Sequence, residues 1–448
     1  MATTEDPTRS KPGRHRHWTA SLYERLAEED EGRVCKDISE EACRETPGNF
    51  FYTLIANTLS SLADKLASSK TTLPWLLLHL GGPGWMLSLL VPLRESGSLM
   101  PQLLIGALVR RQPLRKWIWV AGGCIQGLAL LLMGWSALAL EGAAAGYALL
   151  VLLTLFSLAR GACSVAFKDV QGKTIPKTRR GRLGGWISSV SGLVTLGLGL
   201  LLGSFFQEAS ATANALLLLA AAIFWFLASL VFSRIIEFPG ATEGGANGFT
   251  EAIKKLSLLK EDRPFRLFVI ARALAMGSGL AAPFYLALAR DNLGEGLAVL
   301  GLFIAAEGLA GLISSPIWGR LADDSSRRVF SLASGLAGGI SLALALISWL
   351  PLPTSLDWAV YLLAFLGLGI AHSGVRLGRK TYMLDMAGGN KRTDYVAVSN
   401  TVIGFLLLGT GLLGALAALV SLQAALLLLG LGGVISAYMS HQWPEISG

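Results

Sequence analysis

Three carboxylates, Asp64, Glu95 and Glu307, stand inside long apolar stretches of this chain. A charge at the centre of a bilayer costs about 2.5–3.5 kcal/mol on insertion scales, so it is kept where it is paired, hydrated or used. Burial penalises the charged form of a carboxyl, which suits it to taking up and releasing a proton. Glu95 and Glu307 are therefore the first candidates for carrying a coupling proton. The alternative for Glu95 is an ion pair with Arg94 or another base. Sequence neighbours project about 100° apart on a helix, so Arg94 is not automatically its partner. Asp64 shares a helix face with Thr53, Asn57, Ser61 and Ser68, spaced by three or four residues. That stripe is expected to face a water-filled cavity, with Asp64 either binding a cation or proton or neutralising a base from another helix.

Basic residues supply the complementary chemistry. His372, Arg376 and Arg379 form one helical stripe, and Arg160, Lys168 and Lys173 gather in an earlier apolar segment. Arginine grips carboxylate or phosphate through two parallel hydrogen bonds, so a cavity richer in Arg and Lys than in carboxylates suits an anionic or zwitterionic solute. For Lys168, Lys173, Arg379 and Lys380, nearer helix ends, the alternative is snorkelling to headgroups or pairing with Asp169 and Asp385. No metal-ligand cluster or nucleophile elbow is evident, and the glycine-containing run from Gly374 to Thr381 has the wrong spacing for a phosphate loop. The expectation is a non-enzyme with no cofactor and no metal. Cys35, Cys43, Cys124 and Cys163 have neither CxxC spacing nor a secreted disulfide pattern and are read as structural.

The elements that must position these residues are membrane helices. Of 448 residues 52% are apolar and 15% charged, with mean hydropathy +0.54, which leaves no room for a sizeable soluble domain. The net charge of +8 is scattered in short loops at helix ends rather than on one face, which argues against a nucleic-acid partner. Apolar runs long enough to cross about 30 Å of hydrocarbon recur at 50–71, 83–109, 117–140, 146–172, 185–206, 209–233, 265–289, 297–319, 329–350, 357–384, 394–419 and 421–441. This is an all-α integral membrane protein of twelve spans. The connection Thr72–Gly82 is too short to span and reads as an interfacial helix, with Trp75 at headgroup level.

Lys and Arg concentrate in the loops after every second span: Arg110, Arg111, Arg115 and Lys116, then Lys177 to Arg182, then Lys254 to Arg263, then Arg327 and Arg328, then Lys391 and Arg392. By the positive-inside rule these loops and both termini are cytoplasmic, in a plasma membrane or, in a bacterium, the inner membrane. The first span is preceded by a polar segment, 1–48, and is expected to act as an uncleaved signal anchor. The long loop 237–264 divides the remainder into six-helix bundles at 49–236 and 265–442, followed by a tail at 443–448. A shift of 213 positions lays the segment at Gly106 on that at Gly319, and Glu95 within one residue of Glu307. Such repeated halves are common in secondary transporters, which hold their solute at the interface near the midplane. Gly123 with Gly127 and Gly199 with Gly203 are GxxxG pairs expected to serve internal helix packing.

The run Gly319-Arg320-Leu321-Ala322-Asp323-Asp324-Ser325-Ser326-Arg327-Arg328 resembles the G-x-L-a-D-R-x-G-R-R/K loop of the major facilitator superfamily, at the place where that family carries it. The topology resemblance extends over 50–441. The resemblance implies a gating role for Asp323, Arg327 and Arg328. Asp324 stands where the family has Arg and Ser326 where it has Gly. In the first half Gly106 and Leu108 are kept, while Arg110 occupies the Asp position. Arg160 resembles a fourth-helix arginine linked in several members to proton coupling, whereas the proline-containing antiporter motif of the fifth helix is absent. Because the first, fourth, seventh and tenth helices line the family's cavity, Asp64, Arg160, Arg272 and Arg376 are implied to face the solute. The expected function is secondary active transport of a small organic solute, anionic or zwitterionic and coupled to protons, by a monomer whose two halves rock about a central site. Efflux of amphiphilic drugs and a transporter-like sensor are the alternatives.

Overall fold

The computed structural model describes residues 38–100, 109, 111–205, 211–240, 255–294, 296–351, 353–386, 392–411 and 420–445. Among these, nine helices are long and apolar enough to cross a membrane. Three further helices belong to the remaining spans: α1 (Glu40–Leu66), which carries Asp64 and Lys65, α3 (Leu87–Leu99), whose apolar run continues into residues outside the described ones, and α14 (Arg392–Gly409), which opens with polar residues. The first half holds α1, α3, α4 (Lys116–Ala139), α5 (Gly142–Thr174), α6 (Lys177–Phe205) and α7 (Ala211–Ser233). A short α2 (Thr72–His79) follows α1. In the second half one span is broken into α8 (Arg263–Leu274), α9 (Gly277–Leu280) and α10 (Ala282–Leu293). It is followed by α11 (Leu297–Asp324), α12 (Ser326–Ile347), α13 (Thr354–Met386), α14 and α15 (Leu422–His441). The protein is thus a multi-pass membrane protein of two six-helix halves, with large apolar side chains such as Val151, Leu363 and Tyr438 directed outward as a lipid-facing belt.

Sequence chemistry explains the helix limits. Ser39 accepts the amide of Ala42 at the start of α1, Asp262 that of Phe265 at α8, and Ser325 that of Arg328 at α12. The first span begins ten residues earlier than its apolar run and ends at Leu66. The seventh span departs from the continuous helix expected at 265–289. Gly277 and Gly279 weaken it, and Pro283 cannot continue an interior helix but is favoured in the first turn of a new one. The helix α2 also departs from expectation. Thr72 to Leu77 are buried, Trp75 is 0% exposed, and the Arg290 guanidinium lies 6.0 Å from the Trp75 ring centroid. An almost wholly apolar LPWLLL segment gains more by packing on α10 and α5 than by lying at the headgroups. Cys43 is disulfide-bonded, contrary to the reading of the cysteines as outside any disulfide pattern.

The halves meet along two seams, α6 with α11 and α3 with α14. At the first, Gly199 lies against the backbone of Ala305, and a Cβ on Gly308 would stand 2.6 Å from the Leu196 nitrogen. The Gly123 and Gly127 pair packs α4 on Ser229 and Phe226 of α7. On the face opposite the basic loops, α2 and α3 close against α9 and α10. Toward the basic loops the halves stand apart around a vestibule of about 690 Å³ lined by Lys168, Lys380 and Met383.

Candidate functional site

Between the halves, α3 and α5 face α8, α9, α13 and α14 across a cavity of about 300 Å³. A smaller space of about 90 Å³ adjoins it, and the vestibule continues it toward the basic loops. Arg376 lines all three spaces. Its guanidinium makes no hydrogen bond or ion pair among the described residues, and neither does that of Arg379 one turn on. Glu95 faces the central cavity, exposed to it and unpaired. Ser278 and His372 stand in hydrogen-bond contact at 3.1 Å between Oγ and Nδ1, on α9 and α13. A Cβ at Gly279 would stand 3.0 Å from the imidazole, so the glycine makes room for the ring.

Two ion-pair systems surround this cavity. Asp64 accepts a hydrogen bond from Arg94 Nη2 at 3.0 Å and a second ion pair from Arg160 Nη1. Arg94 also lies 4.5 Å above the Phe156 ring, and Arg160 5.7 Å from that of Trp225. The pair Lys65 to Glu307, at 2.7 Å, runs from α1 to α11 and so joins the two halves. The second Glu307 oxygen, Oε2, is buried without a hydrogen-bond partner. Arg272, 4% exposed on α8, donates to Ser399 at 2.6 Å and Asn400 at 2.9 Å, both neutral acceptors, and its Nε has no partner.

The residues singled out by sequence thus divide. Glu95, Arg160, Arg272, His372 and Arg376 come together on the central cavity, and Glu307 lines the adjoining one. Asp64 is engaged by Arg94 and Arg160. Its stripe does not line any of the described cavities, because Thr53 is buried in helix packing and Asn57 donates its amide to the Thr53 carbonyl at 2.8 Å. Arg94 is spent on Asp64, not Glu95. Lys168, Arg379 and Lys380 line the vestibule instead of pairing with acids, while Lys173 pairs with Glu237 at 2.7 Å, and Asp169 with Arg115 at 3.1 Å. Asp385 accepts the Ser326 hydroxyl. Sequence reasoning gave no role to Lys65 or Lys70 and weighed Arg94 only as a partner for Glu95. Lys65 and Arg94 are charges within an apolar span, and the rule that found Asp64 and Glu95 applies equally to them. Lys70, at the end of the first apolar run, reaches into both the central and the adjoining cavity.

Of the loop residues implied to gate, Gly106 and Arg110 lie outside the described residues, as does the side chain of Asp323. Gly319 lies in the last turns of α11, in open space. Arg327 pairs with Glu445 at 3.0 Å and donates to the Trp443 carbonyl at 3.2 Å, and Ser325 donates to the same carboxylate. Trp443 fills an aromatic cluster with Phe330 and Tyr382, at centroid distances of 5.3 and 4.7 Å. The Arg328 amide donates to Ser325. The loop is therefore fastened to the segment after α15.

A family model described as the Major Facilitator Superfamily matches residues 50–406. No curated protein sequence matches the chain significantly. Among solved structures, an inward-open xylose transporter XylE from E. coli is similar with TM-score 0.67 at 12% identity, covering 89% of this chain and 97% of that one. The nucleoside transporter NupG aligns with TM-score 0.61 at 13% identity, over 88% and 100%. A POT family transporter in complex with 5-aminolevulinic acid aligns with TM-score 0.63 at 12% identity, over 87% and 94%.

Proposed function

The chain belongs to the Major Facilitator Superfamily, and as a transporter of that superfamily we propose that it moves a small anionic or zwitterionic organic solute through the central cavity by alternating access. One observation carries the choice of solute. Arg376 stands at the junction of all three cavities without an ion pair among the described residues, and Glu95, the acid that shares the central cavity with it, faces Lys70, Arg272 and Arg379 as well. Cations left unpaired in a low-dielectric space are stabilised by a bound anion, and arginine engages one through paired hydrogen bonds. The similar structures are a xylose transporter, a nucleoside transporter and a POT family transporter in complex with 5-aminolevulinic acid. They differ too much to select a solute, so the side chains of this cavity must. A drug-efflux cavity would be apolar, and this one is ringed by Lys70, Arg272, Arg376 and Arg379.

The wide vestibule at the basic loops corresponds to an inward-facing carrier if those loops are cytoplasmic, with both termini on the same side. Glu307 is the coupling site that fits the geometry best, since its protonation would release Lys65 and with it a tie between the halves. Glu95, the free acid beside the arginines, is the second. The test is solute binding to the purified protein and uptake into proteoliposomes across a panel of organic anions, amino acids, sugars and cationic amphiphiles. Arg376→Ala should abolish both for anions. Binding confined to cationic amphiphiles and indifferent to Arg376→Ala would refute the reading.

A further inference from the structure

Arg272, Arg376 and Arg379 line both the central cavity and the vestibule, so they form the neck through which a solute passes from one to the other. The vestibule adds Lys168 and Lys380 and, among the described residues, no carboxylate. Among the described residues Glu95 is the single acid lining the central cavity. Arg94 and Arg160 share one acid, Asp64, so that group too leaves positive charge beside the cavity. Arg272 is the most telling of the set. It is nearly fully buried, its two hydrogen bonds go to neutral side chains, and its Nε is orphaned. Burying a cation without a counter-ion is strongly destabilising, and the guanidiniums of Arg376 and Arg379, which line the same neck without an ion pair among the described residues, repel it as well.

Resting on the anion-transport reading, we propose that the solute carries a doubly charged head of the phosphate-monoester type, clamped at the Arg272, Arg376 and Arg379 neck, on a small hydroxylated body. A carboxylate brings one charge and two oxygens, which a single bidentate arginine satisfies. It would leave the remaining guanidiniums facing each other. A phosphate monoester brings close to two charges at neutral pH and three terminal oxygens, which gives one oxygen to each guanidinium and offsets more of their charge than a carboxylate does. The cavity also presents groups suited to hydroxyls. Ser98, Ser278 and His372 line it beside Glu95, and each can accept or donate to a hydroxyl. A volume of about 300 Å³ lies at the small end of the range for organic ligands, which limits the body to roughly a triose to hexose.

The experiment is titration calorimetry of the purified full-length chain in detergent with glycerol 3-phosphate and a hexose 6-phosphate. Each is compared with its methyl phosphodiester, its unphosphorylated parent and a monocarboxylate of similar size. At pH 7.5 the monoester should bind at least tenfold more tightly than its diester. The gap should close toward pH 5, because the second ionisation of a phosphate monoester lies near 6. Lys70, Glu95, His372, Lys168 and Lys380 face both probes alike, so the monoester-to-diester ratio isolates the charge of the ligand. Arg379→Gln should shrink the ratio, and Arg379→Lys, which keeps the charge, should restore part of it. Equal binding of monoester and diester, or of the monocarboxylate, with Arg376→Ala still abolishing it, would overturn the dianion assignment and leave anion transport standing. Failure of every anion to bind would overturn both. The wild-type comparison decides the matter even where a variant does not fold.

Discussion

Neutralising Lys65 should loosen the protein more than its place near a helix end suggests, because its partner belongs to the other half. Lys65 Nζ lies 2.7 Å from Glu307 Oε1, and the side chains are 35% and 17% exposed. Breaking a fully buried pair from one side costs about 3–5 kcal/mol. With Lys65 one-third in contact with solvent, screening reduces this to about 1–2 kcal/mol, a factor of about five to thirty in an equilibrium constant. Lys65→Met leaves Glu307 with neither oxygen partnered, since Oε2 already lacks a hydrogen bond, and should show the larger loss. Glu307→Gln leaves a lysine that can turn toward water and should cost less. The double variant removes the stranded charge, so its loss should fall short of the sum by about 1 kcal/mol. Reversible unfolding in mixed micelles measures all corners of this cycle. Additivity within about 0.5 kcal/mol would show that the pair does not couple the halves, and the assignment of Glu307 as the releasable tie would go with it.

Two further outcomes follow from other parts of the fold. Gly199→Ala places a methyl group into the Ala305 backbone at the α6 and α11 seam and should destabilise by about 1–3 kcal/mol and slow uptake, whereas Gly197→Ala, in open space two residues away, should do neither. Equal effects in thermal unfolding and uptake would show that the seam is looser than the close backbone approach implies. The Glu445 carboxyl is held below its ordinary range by the hydrogen bond from Ser325 and then by the Arg327 guanidinium. Because the folded carboxyl is the more acidic, its contribution is complete at neutral pH and is lost as pH falls through the lowered folded value. Hydrogen exchange of 439–445, corrected for intrinsic rates, should be faster in Glu445→Gln than in wild type at pH 7 and equal to it in strong acid. No difference at pH 7 would mean that the carboxylate does not hold the segment.

The span pattern was legible because membrane crossing imposes one length and one polarity on every helix, and the glycine pairs showed where helices press together. Partner choice was not legible. Asp64 and Arg94 lie thirty positions apart and Lys65 and Glu307 far more, so no periodicity along one helix can join them. The Thr53, Asn57 and Asp64 stripe left its partners open for a related reason. A polar face in a membrane helix can be satisfied by its own backbone, as Asn57 is by Thr53, or by another helix, as Asp64 is by Arg94 and Arg160. The break in the seventh span had a visible signal in Gly277, Gly279 and Pro283, which total hydrophobicity concealed. Arg379 was ambiguous because helix-end cations face headgroups or cavities according to a tilt that only packing sets.

That broken span gives the second half two rods with separate fastenings. The lower rod, α8, is tied to α15 through the Ser436 hydroxyl on the Ala271 carbonyl. The upper rod, α10, is tied to α13 through Asn292 and Tyr361 at 2.7 Å, and its Arg290 reaches Trp75 of the other half. Twelve residues of helix make a lever of about 18 Å, pivoting at the depth of Ser278 and His372. A rotation of only a few degrees there displaces the far end of α10 by about an ångström, with the packed base of α8 left at rest. A pivot at that depth would let the face away from the basic loops yield on a smaller scale of motion than a swing of an entire half would demand.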